Sequence, residues 1–171
     1  MKTILLFRHA KSSWNNPSLP DHDRPLAPRG EKAAPRMGAY LRDAGLVPDR
    51  VLCSTAHRAR QTWDCLAPYL TPSPEVVTSQ ALYEAGASDL LAALQQLPGH
   101  TGRAMLVGHN PGLEDLAAEL AGYGDATARR HMAAKYPTAA LAEIRFDTAS
   151  WPEIAPAGGE LIRFVKPKDL K

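Results

Sequence analysis

Three short, uninterrupted apolar runs constrain this chain most. They are residues 3–8 (Thr-Ile-Leu-Leu-Phe-Arg), 50–54 (Arg-Val-Leu-Cys-Ser) and 103–108 (Arg-Ala-Met-Leu-Val-Gly). A strand with one wet face alternates apolar and polar; one that is apolar throughout is buried on both faces, as in a parallel sheet covered by helices. Val76-Val77-Thr78 is a shorter fourth run. Between the runs the apolar spacing turns helical. Residues 30–45 bring Met37, Tyr40 and Leu41 to one side, and 56–70 align Ala59, Thr62, Trp63, Leu66 and Leu70. Residues 88–97 gather Leu90, Leu91, Leu94 and Leu97, and 111–121 gather Leu113, Leu116, Ala117 and Leu120. Strand alternating with helix predicts an α/β sheet with helices on both faces. Residues 139–147 and 160–166 flank a Pro/Gly-rich connection and predict a closing antiparallel hairpin. The expected architecture is a three-layer sandwich whose central sheet is mostly parallel with an antiparallel edge strand.

The 171 residues fit one domain spanning 1–171, with no internal repeat or linker-like stretch. The net charge of +2 predicts no nucleic-acid partner, since such binders carry a basic excess or stripe. No apolar run approaches the ~20 residues of a membrane span. The apolar stretch near the N-terminus is shorter than the ~7–15 residues of a signal-peptide core, so a cytoplasmic location is expected. Cys53 and Cys65 form neither a CxxC pair nor a disulfide framework and are expected as reduced thiols.

In open α/β sheets, ligands sit beyond the carboxyl ends of the strands. Arg8, His9, Ala10 and Lys11 follow the first run. Ser54, Thr55, Ala56, His57 and Arg58 follow the second, and His109, Asn110, Pro111 and Gly112 follow the third. If these strands are neighbours, two histidines and two arginines converge. That set suits phosphoryl transfer. Guanidinium forks match phosphate oxygens, and a neutral imidazole can accept a phosphoryl group covalently. Nearby arginines are expected to depress the pKa of His9 and keep it neutral. Asn110 is expected to cap the helix that begins at Pro111, and Ser54 or Thr55 the helix that carries Arg58. Arg24 in the loop 21–30 either adds a guanidinium to the phosphate site or pairs with Asp21 and Asp23 at the surface. Trp14 is expected to pack beneath the loop after the first strand, and His57 to face away from Arg58. His22, His100 and His131 are expected at the surface, and the basic 125–136 segment as a solvated helix face.

The motifs Arg8-His9-Ala10-Lys11-Ser12-Ser13-Trp14, Asp23-Arg24-Pro25-Leu26, Ser54-Thr55-Ala56-His57-Arg58-Ala59-Arg60-Gln61-Thr62, Gly108-His109-Asn110-Pro111-Gly112 and the ending Phe164-Val165-Lys166-Pro167-Lys168-Asp169-Leu170 occur in this order. Together they resemble the histidine phosphatase (phosphoglycerate mutase-like) superfamily and, within it, the short bacterial SixA-type phosphohistidine phosphatases. Ala10 stands where the superfamily usually has glycine. The resemblance covers essentially the whole chain. It implies a phosphatase that needs no metal and no cofactor. His9 would be the nucleophile, Arg8 and Arg58 would bind the phosphoryl group, His109 would be a further ligand, and Arg24 an additional active-site arginine. For the general acid it offers Glu84, within Leu82-Tyr83-Glu84, with Asp89 as the alternative. Asp89 also fits a helix N-terminal charge. The short stretches after the strands predict an open site for a phosphorylated protein side chain or a small phosphomonoester, and a poor mutase.

Two rivals stand beside this reading. Cys53 precedes arginines, but its spacing to Arg58 or Arg60 misses the Cys-x5-Arg phosphate loop on either side. A non-catalytic phosphate-binding or regulatory module on the same fold is the alternative from a different class. The substrate and the oligomeric state are not legible.

Overall fold

The first apolar run forms β1 (Lys2–Arg8), whose alternate side chains feed two separate cores. Ile4 and Leu6 pack with α3 (Ala87–Gln95), α4 (Gly112–Leu120) and α5 (Ala126–Ala134). Leu5 and Phe7 pack with α1 (Pro28–Asp43) and α2 (His57–Leu66) on the other face. All four β1 side chains are fully buried. Burial of each such side chain stabilises by about 1.5–3 kcal/mol, which is why this strand tolerates no alternation. The computed structural model describes residues Met1–Leu170.

The sheet runs β3 (Glu75–Ser79), β2 (Arg50–Ser54), β4 (Arg103–Gly108), β1, β6 (Leu141–Phe146), β7 (Gly159–Val165), β5 (Ala121–Gly124). β3, β2, β4 and β1 are mutually parallel. β6 runs against both β1 and β7, while β5 is parallel to β7. The mostly parallel three-layer α/β sandwich expected from the sequence is thus present, with the hairpin at 141–165. The antiparallel strand β6 is internal rather than at the edge, flanked by β1 and β7, and beyond β7 lies β5, a strand that went unanticipated. Two of its four residues are glycine, so no apolar alternation marks it.

Helix limits moved where proline sets them. α1 starts at Pro28, where a fixed φ suits the first helical position. α2 stops at Leu66 and gives way to a 3-10 turn over Ala67–Tyr69, because Pro68 has no N–H to continue the ladder. The sequence pattern had carried this helix on to residue 70. Among the described residues, no helix is long and apolar enough to cross a membrane.

Candidate active site

The convergence at the strand ends follows from register. Arg8 on β1 pairs with Gly108 on β4, so the next residues, His9 and His109, emerge side by side. Their ring centroids are 5.1 Å apart at an interplanar angle of 52°. Cys53 on β2 pairs with Val107 on β4, which brings Ser54 to the same edge. Ser54 Oγ lies 2.8 Å from His109 Nε2.

The loop after β1 is tied down on three sides. The Ala10 amide donates to Thr62 Oγ1 at 2.9 Å, and that hydroxyl donates to the Arg58 carbonyl at 2.7 Å. One buried threonine therefore links the His9 loop to the turn of α2 that carries Arg58. The Ala139 amide bridges the Arg8 and His9 carbonyls at 3.0 Å each. Gly30 of α1 lies so close that a Cβ there would stand 2.2 Å from the Lys11 carbonyl oxygen.

His9 is 6% exposed, and its Nδ1 is 2.7 Å from the Ala10 carbonyl oxygen. A carbonyl only accepts, so a neutral His9 carries its proton on Nδ1 and keeps the lone pair on Nε2. Burial pulls its pKa from the ordinary 6.5 down to about 3, with His109, Arg58 and Arg8 adding to the depression. The arginines expected to do this work come behind desolvation, because the site is drier than a strand-end crevice implies. His109 is lowered to about 4, again by burial first and then by Arg58. Both imidazoles are neutral at pH 7.

Arg58 is 6% exposed. Its Nη1 and Nη2 donate to the backbone and side-chain oxygens of Asp21 at 2.7 and 3.0 Å. Asp21 also accepts from Arg24 Nε at 3.0 Å and from the Tyr83 hydroxyl at 2.6 Å. These hydrogen bonds, Tyr83's foremost and then Arg24's, hold the Asp21 carboxyl well below the usual carboxylate range. Arg8 donates from Nη1 to the Tyr136 carbonyl at 2.9 Å. Buried Arg8 Nε, Arg58 Nε and His109 Nδ1 have no hydrogen-bond partner among the described residues. A cavity of about 350 Å³ opens here, lined by Arg58, His109, Asp21, Tyr83 and Glu84 among others.

Glu84 is exposed on this wall and adopts φ 59°, the left-handed region that non-glycine residues rarely enter. Its loop rests on the start of α4, where a Cβ on Gly112 would lie 2.0 Å from the Ala85 carbonyl oxygen. Asp89 does not reach this cavity; it accepts from the Gly86 amide at the head of α3. That is the helix-terminal reading.

Several expectations need correcting. Arg24 is buried, but its donors go to Asp21, to Ser12 Oγ at 2.8 Å and to the Ser13 carbonyl, and it is not among the cavity-lining residues. Trp14 is not packed beneath the loop: it is 69% exposed, with the Arg24 guanidinium 3.5 Å from its ring centroid. Asn110 caps nothing, because α4 begins two residues later and the amide donates instead to the Tyr136 carbonyl. Neither Ser54 nor Thr55 caps α2: Ser54 faces His109, and Thr55 bonds Gln80 and His22. His22 is half-buried and packs edge-on to Tyr83, with centroids 4.7 Å apart, and is no plain surface residue. His57, as expected, faces away from the cavity and reaches the Asp23 carbonyl. Cys53 is 1% exposed with its thiol pushed up to about 12 by burial, which leaves no thiolate for a nucleophile.

Asp21, Tyr83 and Thr62 went unrecognised as site residues. Asp21 read as a surface acid, and Thr62 as one more position in an apolar helix stripe. Tyr83 lay within the motif quoted for Glu84, so a signal was present. Among the described residues, no group of three or more His, Cys, Asp or Glu is placed to hold a metal ion.

Two adjacent parallel strands ending in histidines, with guanidinium groups around them, form a site whose chemistry suits an anion such as phosphate, on a phosphoglycerate mutase-like fold. The family model of the histidine phosphatase superfamily (branch 1) matches residues 4–91, and the chain belongs to that superfamily. It is 35% identical over 163 residues to the uncharacterized protein Rv1276c of Mycobacterium tuberculosis, covering 94% of this chain and 99% of that one. A structure described as a candidate phosphohistidine phosphatase SixA from Nakamurella multipartitia superposes with a TM-score of 0.83 at 30% identity, covering 97% of this chain and 96% of that one. A second candidate SixA, from Agrobacterium tumefaciens, superposes with a TM-score of 0.80 at 28% identity, covering 97% and 98%.

Proposed function

We propose that this chain is a phosphohydrolase that works through a phosphorylated His9, acting on phosphohistidine of a protein or on a small phosphomonoester. The observation that carries this reading is the state of His9: buried, neutral, and with Nδ1–H committed to the Ala10 carbonyl so that Nε2 holds the lone pair. The similarity to the candidate SixA proteins supports the phosphohistidine alternative in particular.

His9 Nε2 attacks phosphorus. An N–P bond forms as the P–O or P–N bond to the leaving group breaks, and Glu84 gives the leaving group a proton. Arg8 and Arg58 hold the equatorial oxygens as charge redistributes. With Ser54 Oγ donating to His109 Nε2, His109 offers its Nδ1–H to the same oxygens. Water then attacks the phosphohistidine and loses its proton to the Glu84 carboxylate. The N–P bond breaks and phosphate leaves with neutral His9 restored. The left-handed backbone at Glu84 supports its role, because strained conformers persist where surrounding structure enforces them and cluster at functional sites. Arg24 aligns Asp21 and through it Arg58, rather than touching phosphate.

The test is turnover in EDTA by wild type and His9→Ala, with a phosphohistidine peptide, p-nitrophenyl phosphate and a panel of phosphomonoesters. Turnover that His9→Ala abolishes is expected. Glu84→Gln should slow alkyl phosphates more than aryl phosphates or phosphohistidine, whose leaving groups need less proton assistance. Retained turnover in His9→Ala refutes the mechanism. No turnover by wild type, with phosphate still bound, favours a non-catalytic phosphate-binding module.

A further inference from the structure

Arg8 lines a second cavity, which shares no lining residue with that of His109 and Glu84. This cavity, about 210 Å³, adjoins another of about 200 Å³, and the two have Lys11, Arg29 and Lys135 in common. Together they make one groove carrying Arg8, Lys11, Arg29, Lys135, Lys166 and Lys168. The six come from four places: the end of β1, the first turn of α1, the α5–β6 connection and the end of β7. All four lie at the sheet edge that bears the candidate site, because β6 enters where β1 and β7 leave.

Among the described residues, no acidic side chain lines the groove. Among the described residues, none of the six cations has a carboxylate within salt-bridge distance. The net charge of the whole chain is only +2, so this concentration is local. The opposite wall differs in sign, since Asp21, Glu84 and Asp115 line the His109 cavity. Charge therefore changes from acidic to basic across the position of the phosphoryl group.

Four of the six cations are lysines, compact charges on flexible stems that suit several dispersed carboxylates better than one bidentate anion. Ala33, Pro137 and Pro167 give the groove an apolar floor. A floor of this kind, with charges spread along it over two cavities, fits an extended chain. We propose that the groove docks an acidic polypeptide segment flanking the phosphorylated residue of a protein substrate. This rests on the phosphohistidine reading above. It gives the site a direction, with the phosphoryl group at His9 and the acidic segment running past Arg8 toward Lys166. The docking field would also steer encounter, and salt would weaken it.

The test uses two synthetic phosphohistidine peptides, one flanked by a run of glutamates and the other by glutamines. Wild type should favour the glutamate peptide by about tenfold or more in kcat/KM at low ionic strength, and less in high salt. The combined Lys135→Glu, Lys166→Glu and Lys168→Glu variant should lose that preference and keep p-nitrophenyl phosphate turnover within about twofold. A matching triple glutamine variant should fall between. Equal use of the two peptides by wild type, or a preference the variants retain, overturns the proposal. If p-nitrophenyl phosphate is hydrolysed and neither peptide is, the phosphohistidine reading has failed. The groove is then tested alone by anisotropy with fluorescein-labelled oligoglutamate, and absence of binding to wild type overturns docking. A lysine-dependent preference for a small bisphosphorylated compound over the glutamate peptide also overturns it, in favour of a second phosphate subsite.

Discussion

Thr62→Val removes a single hydroxyl from the junction between the His9 loop and α2. The side chain is fully buried and the shape is nearly conserved, so the change isolates two hydrogen bonds. The Arg58 carbonyl keeps its helical partner, but the Ala10 amide loses its acceptor in a residue that is 0% exposed. Leaving a buried donor unsatisfied costs about 1–3 kcal/mol, and the added methyl group offsets a fraction of that. A net loss of about 1–2 kcal/mol lowers Tm by about 2–8 °C in a domain of this size. Turnover should suffer more than stability implies. The same bond fixes His9 relative to Arg58, and displacement of reacting groups by about 1 Å can cost on the order of 100-fold. Calorimetry and turnover of p-nitrophenyl phosphate read the two effects. Thr62→Ser is the control: it loses a buried methyl group, worth about 1 kcal/mol, and keeps the hydroxyl, so its Tm should fall while kcat stays within about twofold. Wild-type Tm and kcat in Thr62→Val, or equal loss of kcat in Thr62→Ser, would refute the clamp.

Two further outcomes follow from the site. His9 and His109 have folded-state pKa values near 3 and 4 against an ordinary 6.5, so below pH 6.5 the unfolded chain binds protons that the folded chain refuses. Their contribution is complete above 6.5 and is lost as pH falls toward the folded values, by about 1.4 kcal/mol per pH unit for each histidine. Urea midpoints at pH 7 and 5 should therefore fall less in His9→Asn than in wild type, and parallel falls would contradict the burial argument. Inorganic phosphate at about 100 times its Kd should stabilise by about 2.7 kcal/mol, raising Tm by about 5–11 °C, with the shift reduced in Arg58→Ala. An undiminished shift in that variant would place the anion elsewhere.

The sheet was legible because burial on both faces leaves a sequence mark: β1, β2 and β4 announce themselves as apolar runs, and the strand-end rule then points to His9, Arg58 and His109. What stayed hidden depends on distance along the chain or on backbone atoms. Asp21 reaches Arg58 across 37 residues, and nothing local separates it from a surface acid. Arg8 and Asn110 both donate to the Tyr136 carbonyl, an acceptor every residue type possesses. Asn110 looked like a helix cap because its side chain suits that role, but here long-range packing outweighs local propensity. The lysines of the groove lie in segments that are far apart in sequence and met only once β6 and β7 were placed.

The polar atoms left without partners bear on what the site is arranged to hold. Among the described residues they are Arg8 Nε, Arg58 Nε, His109 Nδ1, Asn110 Oδ1 and Arg103 Nε. Folded proteins pair the large majority of such atoms, so three of five falling on residues that line one cavity, with Arg8 at the end of the adjoining β1, is a concentration. Arg24 and Arg58 are both buried, and two such guanidinium groups without a shared counter-charge would repel. Asp21 counters that by gripping Arg58 through both Nη atoms and Arg24 through Nε. It leaves Arg58 Nε unengaged. The Asp21 backbone and carboxylate oxygens therefore orient the fork without exhausting its donors. Such an arrangement forgoes about 1–3 kcal/mol of stability for each unpaired donor, a cost that an anion reaching these donors would reverse. The reversal would be greatest where the oxygens carry most charge, so under the proposed mechanism the donors that weaken the fold would favour the transition state over the incoming ester.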